Sequence, residues 1–534
     1  MVELGASVLR DLDIDGLVDS LPTFTKVGAD ALRERLSHPI ADKVELTNRQ
    51  TTLRSICVKT KSDAAEIKTL RIQLRDHEDS VRSVAEAATD TRHAEYYTQI
   101  LWAADSRFAW LNQLGWLNEL IVGFRTLFLP ALSVLLPLLV FLAPLLFFTV
   151  IAKEPLTIEG YFALLQKSLK TAMPSILGKP RFAGTGGMAE LGEQFVHIGA
   201  AVAMFVASIW NQISAAISMR AVVADMRLRS TAVAKFTEAT RGLAIRMGVP
   251  LCPALQEPWS DGELGVFGHA WNTPDRVREI LAFAGHLDML ACLATAKRTC
   301  FSQASSDSLE LTDLYHPGVP RKERVYNSVT MADVSGSVHR NVLLTGPNRG
   351  GKSTLLKAIG VAVLMSHTVG IVFAREARIP RFANIITALA PADIVGKLSL
   401  FEAEIEFAKD VKERIAAASP TFLMMDEIFH GTNAHDGVEA SQVFLDQLYD
   451  PKVRGLFSIV STHYMNLPER YKEVQHLCMD AAVNPTDPDR LIYTYKVRRG
   501  VNRFSSVREI LRERGLLRSG FPGFPGFPGC GSAD

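Results

Sequence analysis

The sequence predicts an α/β P-loop nucleotide-binding domain at the C-terminal end. An all-α helical core domain precedes it, interrupted by a transmembrane helical hairpin. Three observations carry this prediction. The stretch "NVLLTGPNRGGKST" (341–354) sets an apolar run, a glycine-rich loop and a helix start in that order. The stretch from Thr126 to Ala152 holds no charged side chain. Residues 1–105 repeat apolar positions at intervals of three and four, which is the period of an amphipathic helix.

The helical part comes first. "ADALRERLSHPIADKVELTNRQTTLRSI" and "AAEIKTLRIQLRDHEDSVRSVAEAA" are charged, rich in helix formers and free of turn signals beyond one proline. Trp110, Trp116 and Phe124 then lead into the apolar stretch, and such aromatic residues favour a headgroup layer as readily as a protein core. Residues 1–125 are therefore the expected first half of the helical region.

The uncharged run lies between Arg125 and Lys153. As a helix, 126–152 reaches about 40 Å at 1.5 Å per residue, more than the roughly 30 Å hydrocarbon layer. Pro130, Pro137 and Pro144 are spaced by seven, so they share one face, and each removes a backbone donor and favours a kink. A second run, 196–219, is uncharged and carries Gly199, Ala200, Ala201 and Ala203 for close helix contact. Together they predict a hairpin over 126–219 with both flanking regions on one side. A buried hairpin in a soluble protein is the competing reading. Basic residues flank the hairpin and also occupy its loop, so charge leaves the orientation open. An ATP-consuming domain places that side in the cytosol. Residues 220–305 return to helical patterns, with "REILAFAGHLDMLACLATAKR" the clearest piece.

From 306 to 515 short apolar runs alternate with helical patterns, the signature of an α/β sheet. Gly346, Gly350 and Gly351 let the loop fold tightly enough for its amides to face phosphate oxygens. Lys352 reaches the outer phosphates and Ser353 ligates Mg²⁺, while the helix dipole behind them favours anions. "PTFLMMDEI" ends an apolar strand in Asp426 and Glu427. Asp426 suits the metal, and Glu427 suits polarising an attacking water. "FSIVSTHYMNLPE" ends another strand at Ser461, Thr462 and His463, where His463 can sense a terminal phosphate. The expected catalytic set is Lys352, Glu427 and His463, with a nucleoside triphosphate and Mg²⁺ as the nucleotide and metal. Residues 516–534 repeat Gly-Phe-Pro, which builds neither helix nor sheet and reads as a disordered tail or a docking peptide.

"TGPNRGGKST", "MMDEIFHGTNAHDG" and "STHY", in this order, resemble the ATPase domain of the MutS mismatch-repair family. "LYHPGV", "VFAREARIP", "GKLSLFEAEI" and "YTYKVRRGVNRFSSVREILRERGL" extend the resemblance over roughly 310–515. The L-S-G-G-Q signature of transport ATPases is missing. More weakly, "TFTKVGADALRERLSHPIADKVELTNRQTTL" and "HLDMLACLATAKR" resemble the ends of the family's helical core. The resemblance implies ATP as the nucleotide, with Pro347, Asn348, Arg349 and Thr354 also holding it. It further implies a homodimer with composite ATP sites, in which Ser399 reaches the partner's terminal phosphate and His430-Gly431-Thr432-Asn433 forms an interface turn. Arg349, Leu400 and Phe429-His430 depart from the family pattern. The adenine-stacking aromatic has no clear counterpart, Tyr326 being the candidate. No N-terminal mismatch-reading region precedes the helical core.

Composition narrows the partners. Lys+Arg 58 against Asp+Glu 57 leaves a net charge of +1, which gives no support for a broad DNA-binding face. The six cysteines form no C-x-x-C pair, arguing against a zinc site or disulfide framework and for a reducing compartment. Two readings of function follow. The first is a membrane-bound ATPase whose dimeric sites move helical arms, with the lipid bilayer as partner. The second is a soluble MutS-related ATPase acting on DNA in repair or recombination.

Overall fold

A computed structural model describes residues 2–40, 42–88, 95–103, 105–147, 149, 157, 160–161, 187–332, 340–389, 399–416 and 419–516. The Gly-Phe-Pro tail beyond Leu516 and most of the expected hairpin loop (153–193) lie outside these residues. The chain forms two units. One comprises 1–72, 242–250 and 282–534, the other 73–241 and 251–281.

The first unit is built on a seven-stranded sheet. Its strands in chain order are β1 (Glu3–Leu4), β2 (Asn341–Thr345), β3 (Asn384–Ala388), β4 (Thr421–Met425), β5 (Leu456–Ser461), β6 (Gln475–Asn484) and β7 (Asp487–Arg499). Across the sheet they run β1-β3-β4-β5-β2-β6-β7. All neighbours are parallel except β6 and β7. Every residue of β2, β4 and β5 is buried, as a parallel sheet covered on both faces requires. Continuous apolar runs such as Val342–Leu344 and Phe422–Met425 are the sequence mark of that arrangement. Because β2, β4 and β5 are parallel neighbours, their C-terminal ends open on one edge, where open α/β sheets bind ligands. A helix over Lys352–Thr368, α1, follows β2 and is buried along most of its length. Helices α2 (Leu400–Ala416) and α3 (Ala434–Leu448) flank β4 in sequence. A four-stranded sheet of Gln303–Ser305, Glu376–Pro380, Ser308–Leu314 and Asn327–Ala332 adjoins in the same unit.

The expected domain boundaries at 125/126, 219/220 and 305/306 differ from these units. Residues 1–72 belong with the large sheet, and the physical reason is their apolar face. Val8, Leu12, Leu17, Leu32 and Leu36 enter one buried cluster with Leu356, Ile359, Phe422 and Ile459. A buried ion pair fastens the same region: Arg71 Nε donates to Asp288 Oδ1 at 2.6 Å, and Asp288 Oδ2 accepts from the amides of Phe24 and Thr25 at 2.9 Å each.

The second unit is helical. Tyr97, Phe236, Phe267 and Trp271 are buried in it, with Tyr97 packed on Phe267 and Trp271 at 5.0 and 5.5 Å. The expected first span begins earlier than the uncharged run. Helix runs from Gly115–Gly123 through a π turn at Phe124–Phe128 into Leu129–Leu146. The wider turn lies where an α-helical Pro130 ring would clash with the carbonyl four residues back. Among the described residues, Gly115–Leu136 is the one helix long and apolar enough to cross a membrane, and none of that window is buried. The second expected span, 196–219, lies inside the helix Gly187–Met247.

Candidate nucleotide site

The loop between β2 and α1 turns through left-handed backbone at Gly351 (φ +94°). A Cβ there would also lie 3.2 Å from the Tyr495 ring, so glycine meets two demands at one position. Arg349 adopts φ +67° without that freedom, and its guanidinium pairs with Glu513. Lys352 opens α1 and is buried. Its ammonium donates to Gly346 O at 2.9 Å and sits 3.3 Å from His463 Nε2. Burial lowers its pKa, opposed by the carboxylates of Glu427 and Asp426.

Ser353 Oγ donates to Asp426 Oδ2 at 2.6 Å, joining the helix start to the end of β4. Ser461, at the end of β5, donates to Asp426 Oδ1 and accepts the Glu427 amide at 2.9 Å. The Glu427 carboxylate accepts from His463 Nε2 at 2.7 Å, which requires the proton on that nitrogen. That hydrogen bond first, and then the charges of His463, Lys352 and His430, hold the Glu427 carboxyl below its usual range against the effect of burial. The residues expected from three separate motifs thus meet at the ends of three neighbouring strands.

The turn after Glu427 is clamped on two sides. Glu427 and Phe429 have φ of +56° and +52°, a conformation costing roughly 1 kcal/mol for a residue with a Cβ. From α2, Glu404 accepts the amides of His430 and Gly431 at 3.3 and 3.2 Å and contacts His430 Nδ1 at 2.9 Å. From beyond β5, Tyr464 Oη donates to Phe429 O at 3.0 Å. Gly431 is pressed against α2, where a Cβ would lie 2.9 Å from the Phe401 amide nitrogen. Sequence reading missed Glu404 and Tyr464, although both stand inside quoted motifs.

A cavity of about 610 Å³ extends from Glu427, Lys352, Ser353 and Thr354 past Pro347, Asn348 and Arg349. Tyr315, His316, Val325 and Tyr495 also line it. Tyr326, the aromatic expected there, instead packs edge-on to Tyr315 at 5.5 Å with Arg298 over its ring. Its place beside the cavity is taken by Tyr495 on β7, another residue the sequence did not single out. Ser399 lies elsewhere. It caps α2 through reciprocal bonds with Glu402, whose carboxylate accepts from Ser399 N and Oγ at 2.8 Å each. These bonds hold the Glu402 carboxyl below its usual range. Asn433, in the expected interface turn, caps α3 by accepting the amides of His435 and Asp436 at 3.0 Å.

The residues fit a nucleoside triphosphate with Mg²⁺. Among the described residues no group of three His, Cys, Asp or Glu forms a protein-only metal cage. A hydroxyl beside one carboxylate is the donor set Mg²⁺ uses when phosphates and waters supply the rest. A glycine-rich turn on a helix N-terminus, with an inward lysine, is the matching anion cradle.

Parallel sheet, phosphate loop and acidic strand end define a P-loop nucleotide-binding domain of the ATPase kind. More particularly, residues 342–512 match MutS domain V, a P-loop ATPase domain, and over that C-terminal third the chain is similar to the MutS family. It is 33% identical over 198 residues to the DNA mismatch repair protein MutS of Thermus aquaticus, covering 36% of this chain and 23% of that protein. The MutS of Bacillus subtilis is 30% identical over 200 residues, covering 36% and 22%. That of Fervidobacterium nodosum is 28% identical over 204 residues, covering 37% and 24%. The chain thus spans about a quarter of the length of the curated relatives it matches.

Proposed function

We propose that this chain is a membrane-anchored, Mg²⁺-dependent ATPase whose two composite sites form between two copies and drive movement of the helical regions. The observation that carries the catalytic part is the meeting of Lys352, Ser353, Asp426, Glu427 and His463 within direct hydrogen-bond reach. The loop amides of 346–354 and Lys352 bind the phosphates. Ser353 and Asp426 hold Mg²⁺, which when bound neutralises charge on the transferred phosphoryl group. Glu427 orients the attacking water and takes its proton, and its depressed pKa keeps it ionised for that work. His463 fixes the carboxylate's direction. Ser399 and His430–Asn433 face the second copy, the arrangement the family resemblance implies.

The membrane part is supported by the helix Gly115–Leu146. It leaves Trp116, Leu120, Leu127, Leu135, Leu136 and Leu139 exposed, a continuous apolar surface of the kind a lipid partner covers. In this reading 126–152 and 196–219 anchor the chain, 220–305 completes the helical core, and the ATPase domain lies on the cytosolic side. The similarity to DNA mismatch repair proteins supports the second reading, a soluble ATPase that acts on DNA.

Membranes from cells expressing the full chain, washed in alkaline carbonate, separate the two. Retention in the pellet until detergent is added supports the anchor. Release into the wash overturns it. The DNA reading predicts duplex affinity that falls steeply with rising salt. Phosphate release by the purified chain that is abolished in Glu427→Gln and in Lys352→Ala supports the catalytic part, and release unchanged in both variants sinks it.

A further inference from the structure

The segment Glu3–Leu12 lies far from every residue of the matched domain in sequence, and nothing in 342–512 includes it. In space it finishes the sheet that carries the site. Strand β1 pairs in parallel with β3, Glu3 opposite Asn384 and Leu4 opposite Ile385. The amides of Glu3 and Gly5 donate to Ala383 O and Ile385 O at 2.8 Å each. Ser7 Oγ donates to Thr387 O. Leu12 is fully buried, and its Cδ2 would lie 2.5 Å from a Cβ on Gly360 of α1, so the segment also leans on the phosphate-binding helix.

The decisive group is Asp11, whose carboxylate is 0% exposed. Its Oδ2 accepts from Thr387 Oγ1 at 2.9 Å and from the Leu389 amide at 3.0 Å. Those two residues bracket Ala388, and Ala388 O accepts the Asp426 amide at 2.9 Å. The brace therefore runs Asp11 to Thr387 and Leu389, through Ala388, to the backbone of the aspartate proposed to hold Mg²⁺. Ser7 and Arg10 also line a small cavity of about 80 Å³ together with Asp426, Glu427 and Glu404. A buried carboxylate spent on one strand end, beside a metal-site aspartate, does the work that outer-shell partners do for metal ligands.

We propose that Asp11, with Ser7, is a positioning residue for Asp426, and that the segment Glu3–Leu12 is an integral part of the Mg²⁺–nucleotide site. This rests on the reading of Asp426 as a metal ligand. Asp11 touches neither metal nor nucleotide. It sets where the Asp426 carboxylate points.

The test measures how much Mg²⁺ tightens nucleotide binding, using a fluorescent ADP and the full-length chain in detergent, first with a chelator and then along a Mg²⁺ titration. Asp11→Ala is expected to raise half-saturating Mg²⁺ by about tenfold, the lower range for lost outer-shell partners. Affinity in chelator stays within about twofold, because the loop amides and Lys352 are untouched. Asp11→Asn keeps an oxygen for Thr387 and Leu389 and gives up only the exposed Arg10. It is expected to restore a curve close to that of the unaltered chain. Ser7→Ala removes one bond to the same strand end and shifts the curve in the same direction by about threefold.

Three results overturn the proposal: an Asp11→Ala curve matching the unaltered chain; equal loss of affinity with and without Mg²⁺, the mark of general damage; or, should Asp11→Ala not fold, a Ser7→Ala curve without any shift. Absence of any Mg²⁺ effect in the unaltered chain, together with an unchanged Asp426→Ala, overturns the reading of Asp426 itself and with it this proposal. An effect lost in Asp426→Ala but intact in Asp11→Ala sinks the brace alone.

Discussion

Replacing Glu404 with alanine removes the acceptor shared by the His430 and Gly431 amides, together with the contact to His430 Nδ1. Glu404 is 18% exposed, so water can take up part of the loss. Hydrogen bonds to charged groups contribute about 1.5–3 kcal/mol each, and both amide contacts are long, at 3.3 and 3.2 Å. After partial hydration the net loss is about 2–3 kcal/mol, taking the lower end for each bond. The turn they hold contains two left-handed residues, Glu427 and Phe429, so it relaxes once released. At 1.36 kcal/mol per tenfold, its productive population and kcat fall by about 30- to 160-fold. The phosphate loop keeps its own bonds, so nucleotide Kd changes by less than about twofold. Glu404→Gln retains one acceptor and falls by about tenfold. Steady-state phosphate release and equilibrium binding of a fluorescent nucleotide read the two quantities separately. A kcat within threefold of the unaltered chain, or a parallel loss of affinity, refutes the clamp.

Other consequences are open to measurement. In His463→Ala the Glu427 carboxyl loses the hydrogen bond that depresses its pKa, so the acid limb of the pH–rate profile moves to higher pH. A limb that stays in place refutes that assignment. His367 is buried and neutral, its Nδ1–H donating to Val363 O at 2.8 Å and its Nε2 accepting the Phe382 amide at 2.9 Å. Burial pushes its pKa down to about 4, below the unfolded value of about 6.5. The unfolded chain therefore takes the proton first, so stability is complete above pH 6.5 and falls toward pH 4, by about 3 kcal/mol from this group. Thermal melts between pH 7 and 5 should show the fall, and His367→Gln should flatten it. Gly268→Ala sets a Cβ 1.9 Å from the Asn112 carbonyl oxygen and should lower the melting temperature of the helical unit by several degrees, about 1–3 kcal/mol of overpacking; an unchanged melt counts against the packing. Tyr495→Ala removes an aromatic wall of the 610 Å³ cavity and should weaken nucleotide binding by about tenfold, one lost stacking partner, leaving the Mg²⁺ dependence intact.

The phosphate loop, the acidic strand end and His463 were legible in the sequence because phosphate chemistry demands fixed residue types at fixed spacing. The strand runs were legible because a doubly covered sheet tolerates no alternation, as in Val342–Leu344. Other parts carried no such constraint. A two-residue strand such as Glu3–Leu4 has no period, and Asp11 meets Thr387 across a separation of 376 residues. Glu404 looks like any acid on an amphipathic helix, and only the fold turns it toward Gly431. Tyr495 sits on β7 at φ +56°, a twist that aims it at the cavity and that no local pattern announces. Tyr326 failed for the converse reason: its neighbour in sequence, Val325, faces the cavity and Tyr326 packs on Tyr315. The apolar run at 126–152 was visible, yet Asn118 and Glu119 hid the fact that its helix starts at Gly115.

The pairing of β1 with β3 also sets a timetable for the ribosome. Glu3 waits for Asn384, 381 residues later in the chain (384 − 3). At about 5–20 residues per second that interval lasts roughly 20–75 s. Throughout it Val8, Leu12 and Leu17, all fully enclosed in the finished unit, have no sheet to cover them, and the apolar helix from Gly115 emerges in the meantime. The nascent chain must therefore keep these apolar residues from pairing wrongly until Asn384 has been made. Moving Glu3–Leu12 to the far end of the chain by circular permutation would remove that wait.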